Sequence, residues 1–345
     1  MKKIAFMVSR LTKTGPVNVI YNILLSKERE NFDCYIITSK QEIPENSRFE
    51  DFESLGTKIY ALRQKNIILK YFELKYFLEK EQITLVNAHS ISSLFYIACL
   101  RTYKVFSLHF DIRCDWVISG NKKFRFLYKI VKLALKRMGT IICCADYISK
   151  SLEQSFSQVI SIPNGVSYNK HYRKNYRDLG LQKNFIYCGS LSARKNVRKL
   201  AEDFNKWHRP NEYLYLAGTG EFYNELKNAN YTNIILLGFR NDLGNILQDM
   251  DYFISYSKSE GLPLAVLEAM SVGLPVILSD IPGHNEVICN QLCAGIIQKE
   301  NLRETLDKIY LFDYKNLSDN ARTIIRDRYS IEIMANKYFS FFGAC

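Results

Sequence analysis

Short apolar runs alternate with stretches of helical periodicity along this chain, and this alternation constrains the fold more than any other feature. A run of about four to eight apolar residues followed by a helical pattern indicates a βα unit, and a series of such units predicts a parallel sheet. In the first half the runs lie at residues 4–9, 34–38, 57–61, 85–88, 105–109, 140–144 and 159–162. In the second half they lie at residues 185–188, 213–217, 234–237, 252–256, 275–279 and 295–298. We therefore expect an α/β protein with two doubly wound domains.

The domain boundaries follow from a break in this alternation. Residues 164–183 are basic and polar and show no apolar periodicity, so we predict that they link a first Rossmann-like domain, residues 1–163, to a second, residues 184–328. Residues 329–345 are predicted to form a C-terminal helix that packs back on the first domain. In doubly wound domains ligands bind beyond the carboxyl ends of the strands, so we expect the site in a cleft that both domains face.

The positive charge of the chain is confined to its first half. The formal net charge is +12, yet residues 1–180 hold 29 basic and 16 acidic residues, whereas residues 181–345 hold 18 and 19. No recognition motif accompanies the charge, so a nucleic-acid partner is not expected. The first apolar run is too short for a signal peptide, no run approaches the roughly 18 residues of a membrane span, and the cysteines include no C-x-x-C pair. These features predict a cytoplasmic protein with reduced thiols.

A basic amphipathic helix is predicted at residues 122–137, which contain seven cations and no acid. Five of the cations follow spacings of three and four and therefore form one helical stripe, namely Lys122, Arg125, Lys129, Lys132 and Lys136. Such a helix favours an anionic membrane surface, and a second basic, aromatic helix at residues 68–79 supports this interpretation. We therefore predict a peripheral location at the inner face of the membrane. The alternative is an ordinary packed helix whose exposed face is basic.

The sharpest chemical signal is the sequence Ser-Lys-Ser-Glu-Gly-Leu-Pro-Leu-Ala-Val-Leu-Glu at residues 257–268. Glu260 lies in a turn after a predicted strand and Glu268 in the helix that follows, so both carboxylates can face one crevice. The backbone amides of Gly261 and Leu262 precede that helix and predict an anion site. Carboxylates form strong charge-assisted hydrogen bonds with hydroxyl groups, which suits a polyhydroxylated ligand. A merely solvated Glu268 is the weaker alternative, because its neighbours are apolar on nearly all sides.

This segment, followed by Gly-Leu-Pro-Val at 273–276 and Asp-Ile-Pro-Gly at 280–283, resembles the retaining, nucleotide-sugar-dependent glycosyltransferases of the fourth sequence family, which have the GT-B architecture. Further matching motifs are Asn-Gly-Val at 164–166, Gly-Ser-Leu at 189–191, Lys-Asn at 195–196, Ala-Gly-Thr-Gly at 217–220 and Gly-Phe-Arg at 238–240. The resemblance covers residues 160–290 well and the first half thinly. It implies two Rossmann-like domains that face each other across a cleft.

The resemblance also implies roles for individual residues. Glu268 would hold the ribose hydroxyls and Glu260 the transferred sugar, and Lys195 would contact the diphosphate. The second phosphate-binding position of the family is an Arg, but here it is Ser190, which leaves Arg194 to compensate from a different place. The donor-binding residues implied in this way are Gly15, Ser190, Arg194, Lys195, Phe239, Arg240, Gly261, Leu262 and Glu268.

Three residues of the first half follow predicted strands. Gly15 opens a helix whose N-terminus could receive phosphate, although a plain βα turn is equally consistent. His109 matches the family position whose imidazole reaches the transferred sugar, and His89 matches a nearby position that would contact sugar or acceptor. The alternative for both histidines is a core imidazole that bonds the backbone.

The expected function is that of a glycosyltransferase of the hexosyltransferase type, with His109 and Glu260 as catalytic residues. By resemblance it would transfer a sugar from a nucleotide sugar, UDP-linked, to a saccharide acceptor that is lipid-linked, in the synthesis of a cell-surface polysaccharide. The nucleotide sugar is a co-substrate, and neither a metal nor a cofactor is expected. Two alternatives stay open: a nucleotide-sugar epimerase of the same architecture, and a degenerate, non-catalytic transferase-like binding protein, which Ser190 would suit.

Overall fold

The computed structural model describes residues 1–40, 46–112, 122–168, 182–288, 293–299 and 301–345, with the backbone alone for residues 122–125. The chain divides into two units, one formed by Met1–Gly165 together with Ile331–Cys345 and the other by Val166–Ser330. Most of the predicted linker, residues 169–181, lies outside the described residues.

The first unit is built on a parallel sheet with the strand order β3-β2-β1-β4-β5-β6-β7. Its strands are β1 (Lys2–Val8), β2 (Phe32–Thr38), β3 (Lys58–Ala61), β4 (Leu85–Ala88), β5 (Tyr103–Leu108), β6 (Thr140–Cys143) and β7 (Val159–Ser161). The first strand lies in the middle, with Ile4 opposite Cys34 on one side and Leu85 on the other. Because the chain winds outwards from β1 in both directions, the carboxyl ends of β1 and β4 meet at a topological switch point.

Helices cover both faces of this sheet. They are α1 (Gly15–Leu24), α2 (Phe49–Ser54), α3 (Ile67–Glu81), α4 (Ile91–Ile97), α5 (Lys122–Leu135), α6 (Asp146–Leu152) and α14 (Ile331–Ala344), with a 3₁₀ turn at Lys27–Asn31. The connections from β3 to β4, β4 to β5 and β5 to β6 run in the same direction, so right-handed crossovers place α3, α4 and α5 on one face. The Asn66 side chain caps α3 by accepting from the amides of Ile68 and Leu69.

The last helix of the chain, α14, belongs to the first unit and packs on α1. Its aromatic residues enter the core, where Phe342 lies edge-on to Phe6 of β1 with ring centroids 5.9 Å apart. The buried Tyr338 hydroxyl lies 3.1 Å from the Ser107 hydroxyl on β5. This helix therefore packs against residues of β1 and β5 in the core of the first unit.

The second unit repeats the architecture, with the strand order β10-β9-β8-β11-β12-β13. Its strands are β8 (Lys183–Cys188), β9 (Glu212–Ala217), β10 (Ile234–Gly238), β11 (Tyr252–Ser255), β12 (Val276–Ser279) and β13 (Gly295–Gln298). Its helices are α7 (Val197–Trp207), α8 (Tyr223–Asn228), α9 (Leu243–Gln248), α10 (Leu264–Ser271), α11 (Pro282–Ile288), α12 (Leu302–Ile309) and α13 (Tyr314–Arg328). The switch point here lies between β8 and β11, and the candidate donor residues follow these two strands.

The predicted fold class is confirmed, because each predicted strand is present within one or two residues of its expected bounds and both sheets are parallel. Fully buried parallel strands are continuous apolar runs, which is why the sequence locates them so well. Among the described residues, no helix is both long and apolar enough to cross a membrane.

Candidate active site

The centre of the site in the second unit is Glu260, in the turn between β11 and α10. Its carboxylate is 7% exposed and is paired with two cations that follow β8. Lys195 Nζ donates to Glu260 Oε1, and Arg194 Nη1 lies 3.2 Å from Glu260 Oε2. Two loops that are 65 residues apart in sequence are thus held together by a three-residue charge cluster around the buried Glu260, Arg194–Lys195–Glu260, with a net charge of +1.

The charge state of Glu260 follows from its surroundings. Burial by itself raises the pKa of the carboxyl group, but the charges of Lys195 and Arg194 lower it by more, and a side-chain hydrogen bond from Ser257 adds to this. The resulting pKa lies below the ordinary value of 4.5, so Glu260 is ionised at neutral pH. An ionised, fully paired carboxylate can accept hydrogen bonds from a ligand but is unsuited to donate a proton.

Backbone contacts fix the loop that contains the two cations. Arg194 Nη1 donates to the carbonyl of Ser259 at 2.6 Å, and the amide of Lys258 donates to the carbonyl of Arg194 at 2.9 Å. Helix α7 begins directly after Asn196, which has a left-handed φ of 55°. Both cations therefore stand just before a helix N-terminus, a position that favours a bound anion.

Ser190 stands apart from this cluster. Its hydroxyl is exposed and lies 3.3 Å from the hydroxyl of Ser192, while its carbonyl accepts from the Tyr187 hydroxyl at 2.9 Å. The loop therefore has no cation at residue 190, and Arg194 supplies a guanidinium from the far end of the same loop.

The Gly218-Thr219-Gly220 segment packs backbone to backbone against this loop. Both glycines have φ near +150°, and a Cβ on Gly218 would lie 1.9 Å from the carbonyl oxygen of Gly189. A Cβ on Gly220 would lie 2.6 Å from the carbonyl oxygen of Leu191. These glycines permit close approach of two turns.

Glu268 lies one turn inside α10 and is partly exposed. Its charge reaches the buried thiol of Cys188 at the end of β8, where burial first and Glu268 second raise the pKa of the thiol. Gly261 and Leu262 are buried ahead of α10, whose first turn contains no acidic residue and no side-chain cap. The structure thus places Glu268, Glu260 and the start of α10 at the carboxyl ends of β8 and β11.

Sequence reasoning gave no role to Gly283 and His284 at the start of α11, yet Gly283 contacts the Glu260 turn and His284 bonds Ser279 at the end of β12. A Cβ on Gly283 would lie 2.2 Å from the carbonyl oxygen of Gly261 and 2.7 Å from that of Glu260. His284 is fully buried with its Nδ1 3.0 Å from the carbonyl of Ser279, and burial lowers its pKa to about 4. The matching Pro-Gly-His sequence was visible, but only the fold shows which backbone it touches.

Phe239 and Arg240 follow β10 at the same edge of the sheet. The ring of Phe239 is 45% exposed, which is unusual for Phe and suits a stacking surface. Arg240 makes a two-point contact with Asp242, with Nε–Oδ1 at 2.8 Å and Nη2–Oδ2 at 2.6 Å. The guanidinium of Arg240 is therefore held by a neighbouring carboxylate rather than turned towards the charge cluster.

The histidines of the first unit meet at the ends of β4 and β5. His89 Nδ1 lies 2.9 Å from His109 Nε2, and the two rings stack with centroids 5.0 Å apart. Burial lowers the pKa of both, to about 4 for His109, and His109 further lowers that of His89. Gly15 begins α1 after β1, and a side chain there would meet open space.

The predicted basic helix is present as α5, with its residues Val131 and Leu135 buried against the sheet. Its surface is more apolar than the sequence indicated: Phe126 is 67% exposed and Leu133 62% exposed, next to the exposed Lys129. The neighbouring α3 exposes further apolar side chains, which are Ile67, Ile68, Leu69, Phe72 and Tyr76. The side chains of Lys122 and Arg125 lie outside the described residues.

The described residues contain no cluster of His, Cys, Asp and Glu arranged to hold a metal ion. The chain does include an Asp-x-Asp sequence at Asp249–Asp251, but it precedes β11, at the opposite end of the strand from Glu260. Asp251 is buried there and its Oδ2 accepts from the amide of Asn184 at 2.7 Å. This sequence therefore has a structural role in joining β8 to β11.

Comparison with known proteins shows the family of this chain. The family model described as Glycosyltransferase Family 4 matches residues 14–170, and the model described as Glycosyl transferases group 1 matches residues 182–311. The UDP-Gal:alpha-D-GlcNAc-diphosphoundecaprenol alpha-1,3-galactosyltransferase of Escherichia coli is 28% identical, in an alignment that covers 83% of this chain and 84% of that protein. The O-antigen biosynthesis glycosyltransferase WbnH of Escherichia coli is 27% identical and covers 93% and 94% of the two chains.

Solved structures show the same fold at low identity. Anabaena Alr3699/HepE in complex with UDP and glucose has a TM-score of 0.82 at 15% identity and covers 100% of both chains. The lipopolysaccharide outer core galactosyltransferase WaaB has a TM-score of 0.74 at 15% identity, also over 100% of both chains.

Two doubly wound units and the likeness to these solved structures define the GT-B fold. With family models matching both halves, the chain belongs to the glycosyltransferases of the family-4 type. The matches are to transferases, which disfavours the epimerase and the non-catalytic alternatives.

Proposed function

We propose that this glycosyltransferase transfers a sugar from a UDP-sugar, with retention of the anomeric configuration, to a lipid-linked saccharide in polysaccharide biosynthesis. The observation that supports it most is the Arg194–Lys195–Glu260 cluster, because it combines cations for a diphosphate with an ionised carboxylate for sugar hydroxyls. One relative is named for a UDP-galactose donor and a diphosphoundecaprenol acceptor, and one structural neighbour was solved with UDP and glucose.

In this proposal different elements of the second unit bind different parts of the donor. Lys195 and Arg194 neutralise the diphosphate, together with the amides of Gly261 and Leu262 before α10. The amide positions and the cations replace a metal ion, so neither metal nor cofactor is part of the proposal. Phe239, at the end of β10, offers a ring face to the base.

Glu260 and Glu268 have distinct roles. Glu260 accepts hydrogen bonds from the transferred sugar, because its depressed pKa keeps it ionised and its two cations hold it in place. Glu268 accepts from the ribose hydroxyls. The first unit contributes His109 towards a saccharide hydroxyl and the start of α1 at Gly15 towards phosphate.

The donor is tested by binding and transfer with a panel of nucleotide sugars. We expect Glu268→Gln to weaken UDP binding about tenfold or more, since a charge-assisted hydrogen bond to ribose is lost. Titration calorimetry with UDP measures this, with Glu202→Gln on the exposed face of α7 as the matched control. Binding of no nucleotide sugar by the unmodified protein would overturn the proposal, and an inverted product anomer by NMR would overturn retention.

The acceptor is proposed to be reached at an anionic membrane surface. Exposed apolar side chains on α5 and α3 stand beside cations such as Lys129 and Lys136, and both helices lie on one face of the first sheet. The Tyr71 hydroxyl of α3 donates to the carbonyl of Cys99 at 3.1 Å, and Arg137 after α5 donates to the Cys99 thiol at 3.5 Å, so the two helices flank one point. Apolar insertion and attraction to anionic lipid then act together.

Charge reversal tests this surface. The pair Lys129→Glu and Lys132→Glu is expected to reduce binding to phosphatidylglycerol vesicles about tenfold or more, at about 1 kcal/mol per cation near an anionic surface. Co-sedimentation measures the bound fraction, and the exposed Lys227→Glu and Lys315→Glu in the second unit are the control. Equal sedimentation of both double variants would refute the proposed attachment. Phe126→Ser with Leu133→Ser should also weaken binding, and its effect should persist in high salt.

A further inference from the structure

His89 and His109 of the first unit form a hydrogen-bonded pair at the ends of two neighbouring strands. His89 directly follows β4 and His109 directly follows β5, and these strands are hydrogen-bonded neighbours. The amide of His89 donates to the carbonyl of Met7 on β1 at 2.9 Å, and its ring packs against Phe6 at 5.8 Å between centroids. His89 is therefore fixed by the core, whereas His109 is the more exposed member of the pair.

Two imidazole nitrogens 2.9 Å apart share a single proton, so one ring donates and the other accepts. The tautomers of the two rings are thereby coupled: whichever nitrogen donates inside the pair decides which of the outer nitrogens has a proton. The outer nitrogens, His89 Nε2 and His109 Nδ1, are buried and have no hydrogen-bonding partner among the residues that the structure describes. Buried polar atoms in this state mark a site that a ligand or water completes.

We propose that His89 is a positioning residue that fixes the ring orientation of His109 and couples the tautomer of His109 to its own, and that the pair is completed by a neutral hydroxyl group of a saccharide. A hydroxyl both donates and accepts, so it can bond an outer nitrogen of the pair whether or not that nitrogen has a proton. A carboxylate or phosphate would instead need a donor at every contact, which a pair sharing one proton does not supply. The ligand class rests on the proposed transferase function, whereas the coupling of the two rings does not.

The coupling is tested on the ligand-free full chain by ¹⁵N NMR of its imidazole groups. We expect equal tautomer populations for His89 and His109 in the unmodified protein, and a hydrogen-bonded His109 Nε2 both there and in His89→Asn, whose amide can occupy the position of Nδ1. In His89→Phe, which keeps a ring of similar volume but no nitrogen, His109 Nε2 should lose the hydrogen bond and the tautomer ratio of His109 should change. An unchanged His109 spectrum in His89→Phe would overturn the proposal. His208→Phe is the control, since the His208 ring bonds the carbonyls of its own helix end in the second unit.

Transfer kinetics test the functional half. We expect His89→Phe to lower kcat about tenfold, and His89→Asn to stay within about threefold, as for groups that orient a neighbouring imidazole. The effect of His89→Phe should vanish in a His109→Phe background, because His89 acts through His109. If the losses in kcat from His89→Phe and His109→Phe were fully additive, this role would be refuted. Equal unfolding temperatures of the variants would show that the losses do not come from misfolding. If the unmodified protein transferred no sugar, the proposed function would fail, and the NMR comparison alone would then decide the pairing.

Discussion

Replacing Gly283 with alanine is expected to destabilise the second unit and to disable donor binding at the same time. A Cβ there would lie 2.2 Å from the carbonyl oxygen of Gly261 and 2.7 Å from that of Glu260, and both are backbone atoms that cannot rotate away. Overpacking of this kind costs about 3 kcal/mol. For a unit of this size we expect a Tm lower by about 5–10 °C in thermal unfolding.

The functional effect of the same change follows from where the clash falls. The displaced backbone contains Glu260 and leads through Leu262 into α10, so UDP affinity measured by calorimetry should fall about tenfold or more, as expected when one charge-assisted contact is lost. Gly244→Ala is the matched control, because Gly244 lies in α9 with no atom within 4 Å of its Cβ. That change should be neutral or stabilise by about 0.5–1 kcal/mol. Equal Tm values for the two variants would show that the α11 start does not press on the Glu260 turn.

The sequence was sufficient for the fold and for the strand ends at which the candidate donor residues lie. Buried parallel strands are apolar without interruption, and the turn that contains Glu260 has a distinctive pattern with local geometry. Contacts between turns were not predictable. That Glu260 is neutralised by Lys195 and Arg194 depends on β8 and β11 being neighbours, which follows from strand order rather than from either segment.

The dependence on how elements pack together also explains the other contacts that the sequence did not predict. His89 and His109 were each placed at a strand end, but their hydrogen bond requires that β4 and β5 pair in register. On α5, periodicity separated apolar from basic positions, yet it could not tell which apolar residues face the sheet. Val131 is buried while Phe126 is exposed, a difference that depends on how the helix packs in the fold.

Glu260→Gln is expected to reduce sugar transfer by about 10²–10³-fold, the usual loss when a preorganised charged contact to the reacting group is removed. Binding of UDP without a sugar should not weaken, because the substitution removes an anion beside Lys195 and Arg194, which then face the diphosphate with their full charge. Lys195→Met should have the opposite signature, with UDP affinity about tenfold lower. Lys199→Met is its control, since Lys199 is exposed and paired with Asp203. If Glu260→Gln and Lys195→Met weakened UDP binding equally, the division of roles would be wrong.

The free energy of unfolding should depend on pH because of the Arg194–Lys195–Glu260 cluster. Because the folded-state pKa of Glu260 lies below 4.5, the ionised carboxylate stabilises the fold at neutral pH, and this contribution is lost as pH falls from about 4.5 through the folded-state value. Removing the charge leaves Lys195 only 17% exposed and without its anion, while Arg194 at 44% exposure is solvated more easily. We therefore expect Glu260→Gln to cost about 2 kcal/mol at pH 7, less than for a fully buried pair. In urea unfolding, the difference from the unmodified protein should shrink as pH drops below 4.5, since glutamine does not titrate; a difference that is constant between pH 7 and pH 4 would show that the charge of Glu260 does not stabilise the site.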